Sequence, residues 1–401
     1  MNGISEKFFK VSTSSADKVE YLLEHEKECL EQFPSFYEKM RKGYFIVDND
    51  QVDESLLTKK FTDVKHPEIF RLMILPTYQC NLRCWYCTQD HENYFMSKEI
   101  INRIKKLIDR ELKRDDIKHL TLSWFGGEPM LCYDTVITLT EYAKNKCAEL
   151  GKTFSSDMTS NSTLMDADKI ATLISLGVRS YQITIDGPKK IHDKIKRLNE
   201  YSAFKRAMEN IEILATSNVH CGVRFNYTHK NLKPDAIIAD LKSHLSSKAL
   251  KNCTFMLYKV WQEEAKTISE KDVSSLFNQA RKIGMITRFA SLGLCYADYR
   301  NFCCVFPNGK VSKCDNDNPK NITSELNADG TIEWSKQVSD VREITPGDNS
   351  ACSICQFYPI CWGPCIGKRQ NMVSFDKCAY REGLIAEMLI KQCRSLDPDS
   401  I

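Results

Sequence analysis

The sequence predicts an α/β fold, an incomplete parallel (β/α)6 barrel with an α+β module before it and a cysteine-rich region after it. From Arg71 onward, short apolar segments alternate six times with amphipathic ones. Repeated βα units with right-handed crossovers give a parallel sheet that curls towards a barrel. Beyond about Ser291 the alternation stops, and Cys, Gly and Pro take over. We therefore predict three regions, at residues 1–70, 71–290 and 291–401.

The predicted barrel strands are apolar runs of six to ten residues: 71–76, 119–125, 153–160, 179–186, 220–228 and 251–260. Helical segments separate or follow them: Glu99–Arg114, Tyr133–Leu150, Asp166–Leu176, Ala203–Ser217, Pro234–Leu245 and Glu270–Lys282. In parallel sheets of this kind, binding and catalytic groups lie at the carboxyl ends of the strands. The motifs below all follow predicted strands.

The sequence of residues 1–70 predicts a separate module that contains both helix and strand. A short strand is expected at Phe8–Val11, a helix from Ser15 to about Gln32, and an extended segment at Tyr44–Val47. Two interpretations are open. The module is either a recognition element for a partner or a plain covering for the barrel floor.

Composition limits the functional class. Lys and Arg number 56 and Asp and Glu 53, so the net charge is +3 and favours neither a nucleic acid nor an anionic membrane as partner. The first residues lack a signal peptide, and no apolar run is long enough to span a bilayer, which predicts a cytoplasmic protein. Eighteen cysteines in a reducing compartment indicate metal ligation rather than a disulfide framework.

Three cysteines lie in one loop directly after the first strand. Cys80, Cys84 and Cys87 have the spacing C-x3-C-x2-C, with no fourth Cys close by. A [4Fe-4S] cluster normally takes four thiolates, so this loop would leave one iron open to another ligand. A structural zinc site normally has four protein ligands, and a disulfide between two of these cysteines would leave the third one unpaired. The spacing therefore favours a [4Fe-4S] cluster.

This loop, with the aromatic Tyr86 before its last cysteine, resembles the signature of the radical S-adenosylmethionine (SAM) enzymes. The resemblance implies that the open iron chelates the amino and carboxylate groups of SAM. It also implies that a reductant such as flavodoxin or ferredoxin reduces the cluster, which cleaves SAM to methionine and a 5′-deoxyadenosyl radical. That radical would abstract a hydrogen atom from the substrate, while the protein orients the cofactor.

Two further motifs resemble SAM-binding segments of this family. Gly126-Gly127-Glu128-Pro129 follows the second strand and resembles the GGEP motif that holds the SAM amino group. Ser160 and Asn161 end the third strand and, by the same resemblance, would bond the SAM ribose. Ser162 stands where the family usually has Gly. The alternative is that Ser160 and Asn161 cap the next helix.

The fourth and fifth strands carry the remaining candidates for SAM contacts. The family has a basic residue for the SAM carboxylate after strand four, and here either Lys196 or Arg197 fills that role. His192 reads as a loop hydrogen-bonder rather than a metal ligand. On strand five, Arg224 and Asn226 alternate with apolar residues and are expected to point into the barrel, either to contact SAM or substrate or as polar filling.

The third region carries a second cysteine array, with members Cys295, Cys314, Cys352, Cys355, Cys361, Cys365 and Cys378. It resembles the seven-cysteine SPASM pattern of one radical SAM subgroup. That resemblance implies two auxiliary [4Fe-4S] clusters, hence three in all, with Cys295, Cys314 and Cys365 on one and the other four cysteines on the second.

One coordination place among the auxiliary clusters then lacks a thiolate. Cys303 or Cys304 would fill it, or it stays open for a substrate sulfur, while a buried cysteine pair is the alternative for both residues. Asp315, next to Cys314, resembles an Asp of sulfatase-maturing members that is a proposed catalytic base. The alternative there is a capping role.

The resemblance covers about residues 71–385 and implies modification of a peptide or protein. The first region resembles modules of maturases for ribosomally made peptides, which can bind a leader as an added strand. We therefore predict a maturase that acts on a ribosomal precursor peptide with a leader and forms an intrapeptide thioether or carbon–carbon cross-link. The alternatives are a formylglycine-forming sulfatase-maturing oxidase and a non-catalytic iron–sulfur partner for electron transfer or substrate binding.

Overall fold

A computed structural model describes most of the chain: residues 11–43, 45–47, 55, 59, 68–198, 200–260, 262, 268–288, 294–336 and 358–362. The chain forms two compact units. One comprises residues 68–291 and 301–339, and the other comprises residues 1–67, 292–300 and 340–401. Among the described residues, no helix combines the length and the apolar character that a membrane crossing requires.

The described part of the unit that contains the N-terminus includes three short α-helices, α1 (Ala16–Glu24), α2 (Glu26–Gln32) and α3 (Pro34–Lys42). The single helix predicted from Ser15 to about Gln32 is divided, because the backbone of His25 (φ −117°, ψ 69°) leaves the helical region. The helices bury a small apolar core of their own.

Two extended segments were predicted in this unit, and the structure tests only one of them. The extended segment predicted at Tyr44–Val47 is not a strand in its described residues, since positions 45 and 46 are bends. The strand predicted at Phe8–Val11 lies outside the described residues except for Val11.

A parallel sheet forms the centre of the larger unit. Its principal strands are β1 (Ile69–Ile74), β2 (His119–Trp124), β3 (Thr153–Ser160), β4 (Val178–Ile185), β5 (His220–Tyr227) and β6 (Cys253–Lys259). They lie side by side in chain order and pair in parallel. This arrangement confirms the predicted α/β fold.

Helices follow or connect the strands: α4 (Lys98–Leu112), α5 (Tyr133–Glu149), α6 (Ala167–Ser175), α7 (Lys189–Lys196), α8 (Ala203–Thr216), α9 (Pro234–His244), α10 (Ser247–Asn252) and α11 (Glu270–Lys282). Five of them begin after a short polar residue whose side chain accepts the N–H three positions later: Ser97, Asp166, Ser202, Ser246 and Ser269. The sequence missed α7 and α10, which are too short to show a helical period.

The two faces of the sheet differ in character. One face packs on the helices through fully buried apolar side chains such as Leu72, Leu122 and Phe225. The opposite face, here called the inner face, carries polar residues at the alternate positions, because successive strand side chains point to opposite sides. They include Arg71, Thr121, Ser123, Ser155, Asp157, Thr159, Gln182, Arg224 and Asn226.

Further strands extend the sheet at both edges. β7 (Ile286–Arg288) pairs with β6, β8 (Phe302–Val305) pairs in parallel with β1, and β9 (Val311–Ser312) pairs antiparallel with β8. A separate hairpin consists of β10 (Glu325–Leu326) and β11 (Ile332–Glu333), and the helix α12 (Tyr358–Cys361) belongs to the other unit. Strand β8 comes from the region predicted as cysteine-rich and is part of the barrel sheet.

Candidate active site

The three-cysteine loop begins where β1 ends and is held in place by its own hydrogen bonds. The Thr77 hydroxyl donates to the carbonyl of Tyr94 (2.7 Å) and accepts from the N–H of Gln79 (3.0 Å). The N–H of Leu82 donates to Cys80 Sγ over 3.4 Å. A backbone donor aimed at a sulfur favours its thiolate form, which is the form that ligates metals.

The three thiols lie close enough to influence one another. Burial raises the pKa of Cys80 to about 12, and charge on Glu128, Cys84 and Cys87 adds to the effect. Burial also raises the pKa of Cys84, while the ammonium group of Lys196 opposes this rise. No three Cys, His, Asp or Glu side chains among the described residues converge tightly enough to bind a single metal ion. The three thiols, their spacing and the adjacent cation fit the donor set of a [4Fe-4S] cluster.

The Gly126-Gly127 turn after β2 packs directly against the cysteine loop. The N–H of Gly127 donates to the carbonyl of Thr77 (3.1 Å), and the N–H of Glu128 donates to that of Gln79 (2.8 Å). A Cβ at Gly127 would overlap the carbonyl of Gln79 and lie 2.6 Å from that of Tyr78. The glycine at 127 therefore permits close backbone approach, and its partner in this structure is the cysteine loop.

The carboxylate of Glu128 is buried and fully hydrogen-bonded. It accepts from the N–H of Met130 (3.1 Å), the N–H of Asn161 (2.9 Å) and the hydroxyl of Ser160 (2.8 Å). Burial raises the pKa of Glu128, and these hydrogen bonds oppose the rise. Pro129 follows and begins a short 3-10 helix at Pro129–Cys132.

The end of β3 connects Glu128 to the cysteine loop. Besides its N–H bond to Glu128, Asn161 donates its amide to Cys80 Sγ (3.6 Å) and to Asn81 Oδ1 (3.0 Å). The alternative that Ser160 and Asn161 cap the next helix is wrong, because Asp166 caps α6. Ser162 has φ +60°, a left-handed conformation in which Gly is unstrained, and this explains why the related pattern has Gly there.

Tyr86 anchors the far end of the cysteine loop. Its hydroxyl donates to Asp186 Oδ1 over 2.6 Å and accepts from the amide of Asn226 over 3.1 Å. Asp186 follows β4, and Asn226 lies near the end of β5. The sequence analysis did not propose Asp186 as a site residue. The signal that it is a site residue was a carboxylate directly after a buried strand.

The structure distinguishes between the two candidate basic residues after strand four. Lys196 is buried, lies 2.8 Å from Asp186 Oδ2 and is within hydrogen-bonding reach of the Cys84 thiol. Arg197 is exposed and adopts φ +55° at the end of α7. Arg197 is therefore not in the site. His192 accepts a hydrogen bond from the N–H of Asp186 (3.1 Å), which agrees with its expected role as a loop hydrogen-bonder.

Arg224 lies on the inner face as expected. It is half-buried, lies over the ring of Tyr258 at 4.0 Å, and donates through Nε to Asn226 Oδ1 (3.0 Å). Two inner-face residues that the sequence analysis missed are Arg71 and Asp157, whose closest charged atoms are 3.8 Å apart. Arg71 breaks the apolar pattern of β1, which was the available signal for that residue.

The two adjacent cysteines of β8 point to opposite faces of the sheet. Cys303 belongs to the apolar core on the helix-covered face. Cys304 is fully buried on the inner face, and its pKa is raised well above the ordinary value by burial and by charge on Asp315 and Cys314. Asp315 is itself buried. Cys304 also pairs with Ser312 of β9, two residues before Cys314, whereas Cys303 packs in the helix-covered core.

The other predicted cysteine ligands are only partly described. Cys295 is half-buried at the start of the 3-10 helix Tyr296–Asp298, and Cys361 is buried at the end of α12. Cys352, Cys355, Cys365 and Cys378 lie outside the described residues.

Several known proteins resemble part of this chain in sequence. Residues 74–243 match the model of the Radical SAM superfamily. A GTP 3′,8-cyclase of Clostridium perfringens (strain SM101 / Type A) is 24% identical over 271 residues, 62% of this chain and 80% of that protein. The radical SAM cyclopropyl synthase TigE of Paramaledivibacter caminithermalis is 25% identical over 205 residues, 45% of this chain and 41% of that protein. The match to TigE thus spans less than half of that relative.

Solved structures match over more of the chain. Native anSMEcpe with bound AdoMet has a TM-score of 0.61 at 16% identity and covers 81% of this chain and 97% of its own. SuiB of Streptococcus suis has a TM-score of 0.53 at 16% identity and covers 93% of this chain and 94% of its own. At these identities the likeness shows a shared fold. The matched domain at residues 74–243, which contains the cysteine loop, shows that this enzyme carries a Radical SAM superfamily domain.

Proposed function

We propose that this enzyme is a peptide maturase that forms an intrapeptide thioether or carbon–carbon cross-link in a ribosomal precursor peptide. The observation that carries the proposal is the inner face of the barrel. Its side chains suit a neutral polypeptide backbone, and it lies next to the cysteine loop. The SAM and [4Fe-4S] groups, when bound, supply hydrogen-atom abstraction and electron transfer.

The inner face offers both hydrogen-bond donors and acceptors. Hydroxyl and amide side chains are frequent on it, and each can act in both directions. Arg71 and Asp157 add a guanidinium and a carboxylate, each about one third exposed. The Ser123 hydroxyl donates to Asp157 Oδ2 over 2.8 Å and holds the carboxylate in place. A peptide group, with one N–H and one C=O, is complementary to such a surface.

The same surface suits a nucleoside triphosphate less well, although a GTP 3′,8-cyclase is among the relatives. Several unpaired cations would be needed to bind a polyphosphate. Among the described inner-face and loop residues, Arg71 lies beside Asp157, Arg224 packs on Tyr258, and Lys196 pairs with Asp186. The carboxylates beside Arg71 and Lys196 reduce the attraction of this surface for a highly anionic substrate, so it suits a neutral one better.

The Cys304 environment supports an oxidative reaction. We propose that Cys304, rather than Cys303, completes the ligands of the auxiliary cluster that Cys295, Cys314 and Cys365 would hold. A second auxiliary cluster on Cys352, Cys355, Cys361 and Cys378 brings the proposed total to three. Asp315, buried beside Cys314, is the proposed base for a substrate proton. Closed ligation would leave that cluster to accept an electron rather than to bind a substrate thiolate.

Several of the similar structures contain bound peptides. anSMEcpe was solved with the Cp18Cys peptide and SuiB with its precursor peptide SuiA, at TM-scores of 0.58 and 0.53. Those peptides belong to those proteins, and they support a polypeptide substrate here. We further propose that residues 1–70 bind a leader, that a flavodoxin or ferredoxin is the reductant, and that the enzyme works in the cytoplasm.

A formylglycine-forming oxidase is the second candidate function. It is supported by Asp315 beside Cys314 and by the likeness to anSMEcpe. Both candidates begin with the same hydrogen abstraction, and they differ in the fate of the substrate sulfur. A carbon–carbon cross-link leaves every thiol in place, a thioether consumes one, and formylglycine formation replaces one with an aldehyde.

The test is anaerobic reaction of the reconstituted enzyme with the peptide encoded by any short cysteine-rich reading frame found beside its gene. We expect the peptide to lose the mass of two hydrogen atoms. We also expect 5′-deoxyadenosine to be released at a rate that depends on the peptide. Alkylation with iodoacetamide then separates a thioether, which no longer reacts, from a carbon–carbon link. A hydrazide-reactive aldehyde would favour the oxidase. An unmodified peptide in the presence of SAM cleavage would contradict the proposal for that substrate.

A further inference from the structure

Asp186 is a buried carboxylate that joins two elements of the SAM and cluster site. One oxygen accepts the Tyr86 hydroxyl at 2.6 Å, and the other lies 2.8 Å from the ammonium of Lys196. Tyr86 is the neighbour of Cys87, while Lys196 reaches the Cys84 thiol. One side chain thus contacts both the aromatic residue of the cysteine loop and the cation beside it.

The backbone of Asp186 is fixed on both sides, so its carboxylate has little freedom. Its N–H donates to His192 Nδ1 over 3.1 Å, and its carbonyl accepts the amide of Asn231 over 2.9 Å. Asn231 also donates to the carbonyl of Asn226 over 2.8 Å, which ties the ends of β4 and β5 together. Asp186 is therefore a rigid support rather than a mobile surface group.

The ion pair is unusual in its burial. The Asp186 side chain is 0% exposed and that of Lys196 4% exposed. Two buried charges lose their hydration, and an apolar pair of similar volume would often stabilise a fold as well or better. A reason other than stability is the position of the ammonium beside Cys84. Nearby charge and hydrogen bonds are among the features that set the potential of an iron–sulfur cluster.

We propose that Asp186 is a positioning residue that sets the electrostatic potential at the Cys80, Cys84 and Cys87 cluster by holding and neutralising Lys196. Loss of the carboxylate leaves an unbalanced positive charge beside Cys84, which favours the electron-rich reduced cluster. Loss of the ammonium leaves an unbalanced negative charge, which disfavours it. The two changes therefore move the reduction potential in opposite directions.

The test is an EPR-monitored redox titration of the reconstituted holoenzyme. The relevant cluster is identified as the one whose reduced signal changes when SAM is added, since SAM is expected to bind its open iron. We expect Asp186→Asn to shift its potential to more positive values and Lys196→Gln to shift it to more negative values. The charge-balanced double variant Asp186→Asn/Lys196→Gln should return towards the wild-type potential.

A matched control separates charge from structural damage. Asp193→Asn makes the same chemical change in α7, where the carboxylate accepts from the Ser202 hydroxyl (2.7 Å) and the Phe204 N–H (2.9 Å). It should lower thermal stability and leave the potential unchanged. Equal shifts of the same sign in Asp186→Asn and Lys196→Gln, or no shift in either, would overturn the proposal. If Asp186→Asn fails to load its cluster, the other two variants still test the proposal. Lys196→Gln should shift the reduction potential to more negative values, and the double variant should return it towards the wild-type potential.

Discussion

The hydroxyl of Ser160 donates a hydrogen bond to Glu128 Oε1 over 2.8 Å, and this contact joins the carboxyl end of β3 to the Gly-Gly-Glu-Pro turn after β2. The same hydroxyl accepts from the N–H of Ser162 over 2.8 Å. Two segments that the sequence offered separately as SAM contacts thus form one buried unit. Glu128 supports the loop that carries Cys80 through this unit.

Ser160→Ala should destabilise the enzyme by about 1.5 to 3 kcal/mol, because a buried carboxylate loses a charge-assisted hydrogen bond. The measurement is urea unfolding of the variant and the wild type. Ser156→Ala is the matched control on the same strand, where the hydroxyl donates to the carbonyl of Leu122 (2.8 Å), a neutral acceptor. Its cost should be nearer 1 kcal/mol. An equal loss of unfolding free energy in the two variants would show that the hydrogen bond to Glu128 is no stronger than the one to a neutral carbonyl.

Gly127→Ala should reduce SAM binding at least tenfold, since the new methyl group overlaps the backbone carbonyl of Gln79 and displaces the cysteine loop. Equilibrium SAM binding to the reconstituted enzyme measures the effect. Gly222→Ala is the control, because its methyl group would clash with only the flexible end of Met256, 2.6 Å away, while the carbonyl of Tyr181 lies at an ordinary 3.4 Å. We expect that variant to bind SAM normally. Normal binding by Gly127→Ala would contradict the close-packing argument.

Replacement of Cys80, Cys84 and Cys87 by Ala should lower the iron content from about twelve to about eight per chain and abolish SAM cleavage. Three thiolates on one loop are the proposed ligands of one cube, so the other two cubes should persist. Iron analysis and 5′-deoxyadenosine release measure the two effects. An unchanged iron content would remove the loop from the list of cluster sites.

Cys304→Ser should remove the spectrum of one auxiliary cluster, and Cys303→Ser should leave all cluster spectra intact. The reason is that Cys304 lies on the inner face near Cys314, while Cys303 packs in the apolar core. Mössbauer or EPR spectra of both variants decide this. Unchanged spectra in Cys304→Ser would instead favour an iron that is open to a substrate thiolate.

His192 should make the stability of the apo-protein depend on pH. Burial and the positive charge of Lys196 lower the pKa of His192 from 6.5 to about 4, while the charges of Asp186 and Asp193 oppose this shift. Between these values the unfolded chain binds the proton and the folded chain does not, so stability is lost as the pH falls through this window. The full loss below pH 4 is roughly 3 kcal/mol.

Urea midpoints at pH 7 and pH 4.5 test this expectation. His192→Asn offers an oxygen in place of Nδ1 to accept the Asp186 N–H and cannot be protonated in this range. Its stability should fall less than that of the wild type between the two pH values. Parallel losses in both proteins would assign the pH dependence to other groups.

The sequence by itself determined the barrel and the identity of its cysteine loop. Alternating βα periodicity placed the ends of all six principal strands within about two residues, because strands buried on one helix-covered face need regular apolar positions. The spacing of Cys80, Cys84 and Cys87 and the glycines at 126 and 127 depend on local chemistry and backbone geometry. Both can be read without the fold.

The tertiary structure alone decided which side chains meet. Lys196 and Arg197 are adjacent in sequence, yet only Lys196 is buried beside Cys84, because α7 ends there and directs the next residue outwards. Cys303 and Cys304 likewise separate only once strand pairing with β1 sets their faces. The contact between Tyr86 and Asp186 spans one hundred residues, and no local pattern encodes such a distance. It exists because parallel strands bring their carboxyl ends to one edge of the sheet.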